Sequence, residues 1–120
     1  MSSFIKAVQH AAVGIVYFFK QERNGKIQGF IGILAILMGA WLHITATEWI
    51  LVILCIAVVI ALEMINTAIE KTANFITSEF HPHIKNIKDI AAAAVLWAAI
   101  CSTIIGAIIF LPKILSIIFI

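Results

Sequence analysis

Charge is scarce in this chain. Only 12% of its 120 residues are Asp, Glu, Lys or Arg, whereas 63% are hydrophobic and the mean hydropathy is +1.14. An ordinary soluble domain carries about 25% charged and about 45–50% apolar residues. Too few polar side chains exist to cover a water-soluble globule. That excludes a soluble monomer, a disordered tail and a free DNA-binding module, and leaves a single-domain integral membrane protein, 1–120. The net charge of +2 is too small to suggest nucleic acid as a partner. Cysteine is scarce too. Cys55 and Cys101 both lie inside apolar runs, which fits buried thiols and not a disulfide framework. No Cys/His spacing suits a metal. The start lacks the basic, apolar and small-residue order of a secretory signal, and no internal repeat or low-complexity stretch occurs. There is no G-x-x-x-x-G-K-[ST] loop: the only Gly-Lys pair is Gly25-Lys26, followed by Ile27. The Gly-rich loop, H-R-D and D-F-G of protein kinases are missing as well. Any nucleotide chemistry must use another scaffold.

What the chain does have is long uncharged runs. A spanning helix needs about 20 mostly apolar residues. Residues 27–47 carry no formal charge and form the first expected span. The second run, 49–62, is short and can span only if its helix continues through Glu63 and Asn66, so a helix over 49–77 is expected. The third uncharged run, 90–112, sits in an expected helix over 87–112, with the apolar tail after Lys113 extending or ending it near the interface. Residues 1–23 differ. Phe4, Ile5, Val8, Ala11, Ala12, Ile15, Phe18 and Phe19 recur at helical spacing while Ser2, Lys6, Gln9, His10, Lys20 and Gln21 fall largely elsewhere. This is an amphipathic helix suited to the membrane surface or to a partner subunit. The fold class is therefore an all-α membrane protein, a surface helix plus three transmembrane helices.

Orientation follows from the basic residues. Lys6, Lys20, Arg23, Lys26, Lys71, Lys85 and Lys88 share one side, and only Lys113 lies on the other. The N-terminus is expected in the cytoplasm and the C-terminus outside. The short 43–48 connection then faces outward between the interfacial anchors Trp41 and Trp49, with Glu48 a solvated loop charge.

The other five acidic residues, Glu22, Glu63, Glu70, Glu79 and Asp89, fall on the cytoplasmic side. At 100° per residue, Glu70 and Asn74 lie about 20° to either side of Glu63, Thr67 about 40° away and Asn66 about 60°. These five residues make one polar stripe on an otherwise apolar helix. A solvated face beyond the membrane accounts for Asn74 and Glu70. It does not account for Glu63, which directly follows an apolar run. A carboxylate at that depth is costly and marks function by default. Oxygen ligands of this type hold a hard cation such as Mg²⁺, and a partly desolvated glutamate can serve as a general base. Lys88 and Asp89 begin the third span on the same side, where a lysine either anchors the helix or counters phosphate charge.

The stretch Glu63-Met64-Ile65-Asn66-Thr67-Ala68-Ile69-Glu70 resembles the E-x-x-N-[ST]-A-[IV]-E signature of the prokaryotic diacylglycerol kinase family. Glu79-Phe80-His81, then Lys88-Asp89 before Ala91-Ala92-Ala93-Ala94-Val95-Leu96, match the rest of that signature. Glu22-Arg23-Asn24-Gly25-Lys26-Ile27 resembles its first acidic block, with Gly14 eight residues upstream. The blocks occur in family order over nearly the whole chain. The resemblance implies a bacterial inner-membrane homotrimer that moves the γ-phosphate of ATP, with Mg²⁺, to the hydroxyl of diacylglycerol or undecaprenol. It implies Glu63 as general base, Asn66 as organiser of the catalytic centre, and Glu22 and Glu70 as Mg²⁺ ligands with the ATP phosphates. Lys88 and Asp89 would contact ATP, and Glu79, Phe80 and His81 would lie along the nucleotide. Asn74 stands where the family often has Asp, and His10 where an aromatic ATP contact is common, so neither takes a role. Glu22-Arg23-Asn24 and Phe80-His81-Pro82 look closer to the undecaprenol branch. The competing reading is a non-enzymatic membrane oligomer such as a holin or an ion-conducting protein. A pore would spread polar residues along the depth of a span, whereas this stripe lies at one end.

Overall fold

A computed structural model describes residues 2–119; Met1 and Ile120, the ends of the expected domain, lie outside the described residues. Four helices follow one another: α1 Ser3–Gln21, α2 Arg23–Trp41, α3 Ala46–Ile76 and α4 Pro82–Ile118. α1 packs on α2, α2 on α3, and α4 chiefly on α3.

The first helix is capped by Ser2, whose side chain accepts from the Ile5 N–H. It ends one residue earlier than the elbow it forms. Glu22 has an extended backbone (φ −94°, ψ 130°) and is at once the last cap of α1 and the first of α2. The sequence suggested a looser join, with the first span starting at 27. Instead Arg23, Asn24 and Lys26 are already helical. Gly25 makes this close turn possible: a Cβ there would lie 2.2 Å from the Phe18 carbonyl oxygen, so α1 and α2 touch backbone to side-chain position. Phe18 is buried at that contact and is edge-on to Phe19.

The α2–α3 connection also arrives earlier than the uncharged run implied. α2 stops at Trp41. His43 then takes a left-handed backbone (φ 53°), its N–H bonds the Ala40 carbonyl, and the Ile44 N–H reaches back to the Gly39 carbonyl. This is the Schellman closure of a helix C-terminus, with His43 where glycine is usual. Thr45 starts α3 through a reciprocal capping box: its hydroxyl accepts from the Glu48 N–H at 3.2 Å and the Glu48 carboxylate accepts from the Thr45 N–H at 2.9 Å. Glu48 is thus a helix residue and not a solvated loop charge. It also pairs with Lys113 of α4 at 3.2 Å. Pro112 does not end α4, which runs on to Ile118.

Among the described residues α3 and α4 are long and apolar enough to cross a bilayer; α2 falls short because its uncharged part runs only from Ile27 to Trp41. The single chain buries little. Ile44, Val52 and Ile109 form its small core, while Trp97, Ile108 and Phe30 are more than 60% exposed. Apolar surface on this scale is not tolerated in water and calls for lipid or another subunit against it. α1 shows the same feature, with Phe4, Ile5, Val8 and Ile15 uncovered within the chain.

Candidate active site

The polar stripe of α3 grades in burial along its length. Glu63 and Asn66 are each only 5% exposed, Thr67 and Glu70 are half-buried, and Asn74 is exposed. The first turn of α2 reaches the buried part of the stripe through Asn24, and helix length sets the depth of these groups in a span. At 1.5 Å per residue, about 20 residues cross a hydrocarbon core of about 30 Å. Counted from Ala46, that distance ends around Ile65, so Glu63 and Asn66 sit at the boundary and Glu70 and Asn74 lie past it.

Each buried group has a specific neighbour. Asn24, in the first turn of α2, donates its side-chain amide to Glu63 Oε1 at 2.8 Å. Asn66 donates its own amide to Glu70 Oε1, one turn on, at 3.3 Å. The other end of Asn66, Oδ1, is buried with no hydrogen-bond partner. A buried acceptor left unpaired costs free energy, so a donor or cation is the natural complement of this atom. Glu22, at the α1–α2 elbow, makes an ion pair with Lys71 at 2.9 Å. Lys71 follows Glu70 in the chain, which brings the Glu22 carboxylate to the same level of α3. The Lys71 ammonium also lies 5.7 Å from the Tyr17 ring centroid, tying α1 to the group.

The α3–α4 connection carries the remaining residues singled out by sequence. Lys88 Nζ donates to Asn74 Oδ1 at 2.5 Å, linking the two helices across the end of the stripe. Asp89 is held by Lys85, one turn before it, at 2.6 Å. His81 caps α4: its Nδ1 accepts from the His83 N–H, with Pro82 at the first helical position. Glu79 takes its N–H to the Thr77 hydroxyl, and Phe80 is 79% exposed. The chain therefore puts Glu63, Asn66 and Glu70 on one strip of α3, with Glu63 bonded to Asn24 and Glu70 to Asn66, and sets Glu22 and Lys88 at its margin. Within one chain it engages Glu79, Phe80, His81 and Asp89 only with local partners.

Three pairings did not stand out in the sequence. Asn24 was visible only as part of a short block, Lys71 only as a basic residue, and Asn74 on the stripe but without its partner Lys88. Their contacts cross between helices at separations of 39, 49 and 14 residues, which no local periodicity reports.

A model of the prokaryotic diacylglycerol kinase family matches residues 9–110. The chain belongs to that family. Membership makes it a lipid kinase and, with its two crossing-length helices and uncovered apolar surface, a membrane protein. It is 38% identical over 113 residues to the undecaprenol kinase of Bacillus subtilis, covering 94% of this chain and 92% of that protein. It is 34% identical to the diacylglycerol kinase of Synechocystis, covering 95% of this chain and 66% of that one. With the diacylglycerol kinase of Escherichia coli K12 it shares 32% over 83% and 82% of the two chains.

The strip also fits a hard cation. Its donors are the Glu63 and Glu70 carboxylate oxygens and the unpartnered amide oxygen Asn66 Oδ1. Among the described residues no three His, Cys, Asp or Glu side chains come together as a ready cage. A hard cation such as Mg²⁺ takes one or two carboxylates and completes its shell with phosphate oxygens and water.

Proposed function

We propose that the protein transfers the γ-phosphoryl group of ATP, with Mg²⁺, to the hydroxyl of a membrane lipid, diacylglycerol or undecaprenol. One observation carries the reading: a nearly fully buried glutamate, Glu63, at the level where an apolar helix leaves the bilayer, with a single amide on one oxygen. Charge in that place is costly and is retained for use.

Phosphoryl transfer demands positioning and charge neutralisation more than covalent help from the protein. The lipid hydroxyl approaches Glu63, which takes its proton as the oxygen bonds the γ-phosphorus. The bond to the β-phosphate oxygen breaks and ADP leaves. Glu22 and Glu70 would hold Mg²⁺ with the phosphates, and the cation would neutralise the charge developing on them. Lys71 must then give up Glu22, and Lys88 supplies positive charge from α4. Asn66 holds Glu70 in register with Glu63, since all three share one face of α3. Asp89, Glu79, Phe80 and His81 would line the nucleotide.

An apolar cleft of about 250 Å³ between α2, α3 and α4 supports a lipid acceptor. Gln28 and Val59 are on its wall, one helical turn from Asn24 and Glu63 respectively. A lipid chain in that cleft would present its polar end to the carboxylate.

The family architecture completes the reading. α2 joins α3 and α4 as a third span, α1 lies along the surface with Phe4 and Val8 in the lipid, and three copies cover the exposed helix faces. The seven-to-one split of Lys/Arg puts the N-terminus and the strip on the cytoplasmic side of a bacterial inner membrane. The whole chain acts as one domain. Purified protein in lipid micelles, given radiolabelled ATP with diacylglycerol and undecaprenol side by side, is expected to label at least one lipid and to stop when Mg²⁺ is chelated. Label in neither lipid, or transfer indifferent to the chelator, would overturn this function.

A further inference from the structure

We propose that Asn24 is the positioning residue for Glu63: its side-chain amide fixes the carboxylate so that one oxygen is held and the other is presented to the acceptor hydroxyl. The inference rests on the reading of Glu63 as the base. Glu63 has several rotatable bonds, and a base that wanders loses the near-attack geometry on which transfer depends. Asn24 Nδ2 occupies Oε1 at 2.8 Å, and among the described residues it is the only side chain that hydrogen-bonds Glu63. Oε2 is thereby left for a substrate proton.

The type of residue matters. Arg23 and Lys26 stand on either side of Asn24 in the same helix start. Each would make an ion pair with Glu63 if it faced it, and a salt-bridged carboxylate is a poor proton acceptor. Neither is among the ion-pair partners of the described residues, which are Lys71 with Glu22, Lys85 with Asp89 and Lys113 with Glu48. The neutral amide is the group that faces the buried glutamate, so it directs without quenching. The α1–α2 elbow sets this choice. Gly25 seats α2 against the Phe18 backbone, which fixes the rotation of the helix start and hence which of residues 23–26 looks towards α3.

The test measures kcat and KM for ATP and lipid per assembled protein in micelles, for Asn24→Ala, Asn24→Gln, Glu63→Gln and the Asn24→Ala/Glu63→Gln double variant. A hydrogen bond to a charged group is worth about 1.5–3 kcal/mol, which at 1.36 kcal/mol per decade corresponds to a roughly 10–100-fold fall in kcat for Asn24→Ala. KM for ATP should stay within about twofold. Asn24→Gln keeps an amide donor and should recover part of the rate. In the Glu63→Gln background, Asn24→Ala should cause no further loss. If Glu63→Gln retains its rate, the reading of Glu63 as base fails and this proposal with it. If Glu63→Gln is inactive while Asn24→Ala keeps full kcat, or loses only assembly yield, the proposal alone is overturned. An additive loss in the double variant overturns it equally.

Discussion

The two ends of α3 treat their glutamates differently. At the N-terminal end, Glu48 is tied to the helix start and to a lysine. Its Oε1 accepts from the Thr45 N–H at 2.9 Å and from Lys113 at 3.2 Å, while its own N–H is taken by the Thr45 hydroxyl. In the C-terminal half, Glu63 and Glu70 each hold one neutral amide, and the neighbouring Asn66 Oδ1 is buried with nothing opposite it. The first arrangement caps α3 and joins it to α4 through a full charge partner. The second is more deeply buried and yet less satisfied, which is the reverse of what stability alone would favour. Buried oxygen left uncommitted can bind a cation or accept from a substrate hydroxyl.

Perturbing each end should have different consequences. After Glu63 itself, the largest expected effect is from Glu70→Ala. Losing even an outer-shell partner of a metal costs roughly 10–100-fold in affinity, and a direct ligand should cost at least that. Nucleotide affinity measured with and without Mg²⁺ should fall only in its presence, with lipid affinity little changed. Equal affinities of variant and parent under both conditions would remove Glu70 from the cation site.

A smaller effect is expected at the elbow. The methyl group of Gly25→Ala would meet the Phe18 carbonyl at 2.2 Å, a backbone atom that cannot swing aside. Overpacking of this kind costs about 1–3 kcal/mol, against the roughly 1 kcal/mol by which alanine favours a helix. The thermal midpoint should drop, and the rate should drop with it because Glu22 and Asn24 both hang on this elbow. Unchanged stability would mean that α1 and α2 separate freely.

The mildest effect is expected at the N-terminal end. Thr45→Ala removes a helix cap worth about 0.5–2 kcal/mol. It should lower the midpoint in a denaturation scan and leave turnover per assembled protein as it was. A loss of turnover there would break the contrast between the ends.

Much of this was legible in the residues because it follows from periodicity. The stripe Glu63, Asn66, Thr67, Glu70 and Asn74 is a helical-wheel fact, and the structure grades it from buried to exposed in the expected order. The existence of four helical segments was legible for the same reason. Their joints were less so. The residue pattern puts Arg23 at the end of the surface helix and starts the first span at 27, yet one extended residue, Glu22, suffices to turn the chain where a glycine permits close contact. The connection expected at 43–48 is present but falls slightly earlier, with His43 in place of glycine as its left-handed residue and α3 starting at Ala46. Of the two courses open to the tail after Lys113, α4 takes the extension, to Ile118. The pairings of Asn24 with Glu63, Lys71 with Glu22 and Asn74 with Lys88 were invisible because contacts between helices depend on how the helices are rotated, which sequence spacing does not encode.

The contrast between the ends is tested most directly by one paired measurement: turnover per assembled protein for Glu63→Gln and Glu48→Gln, with ATP affinity and thermal midpoint taken on the same samples. Both changes remove a carboxylate charge and keep its shape. The account predicts that Glu63→Gln loses about 10²–10⁴-fold in rate, the usual cost of a missing general base, while its assembly and ATP affinity survive. It predicts that Glu48→Gln keeps the parent rate and loses only stability, through Lys113 and the capping box. A Glu63→Gln variant that retains most of its rate, or a Glu48→Gln variant that stops turning over while still folded, would contradict it.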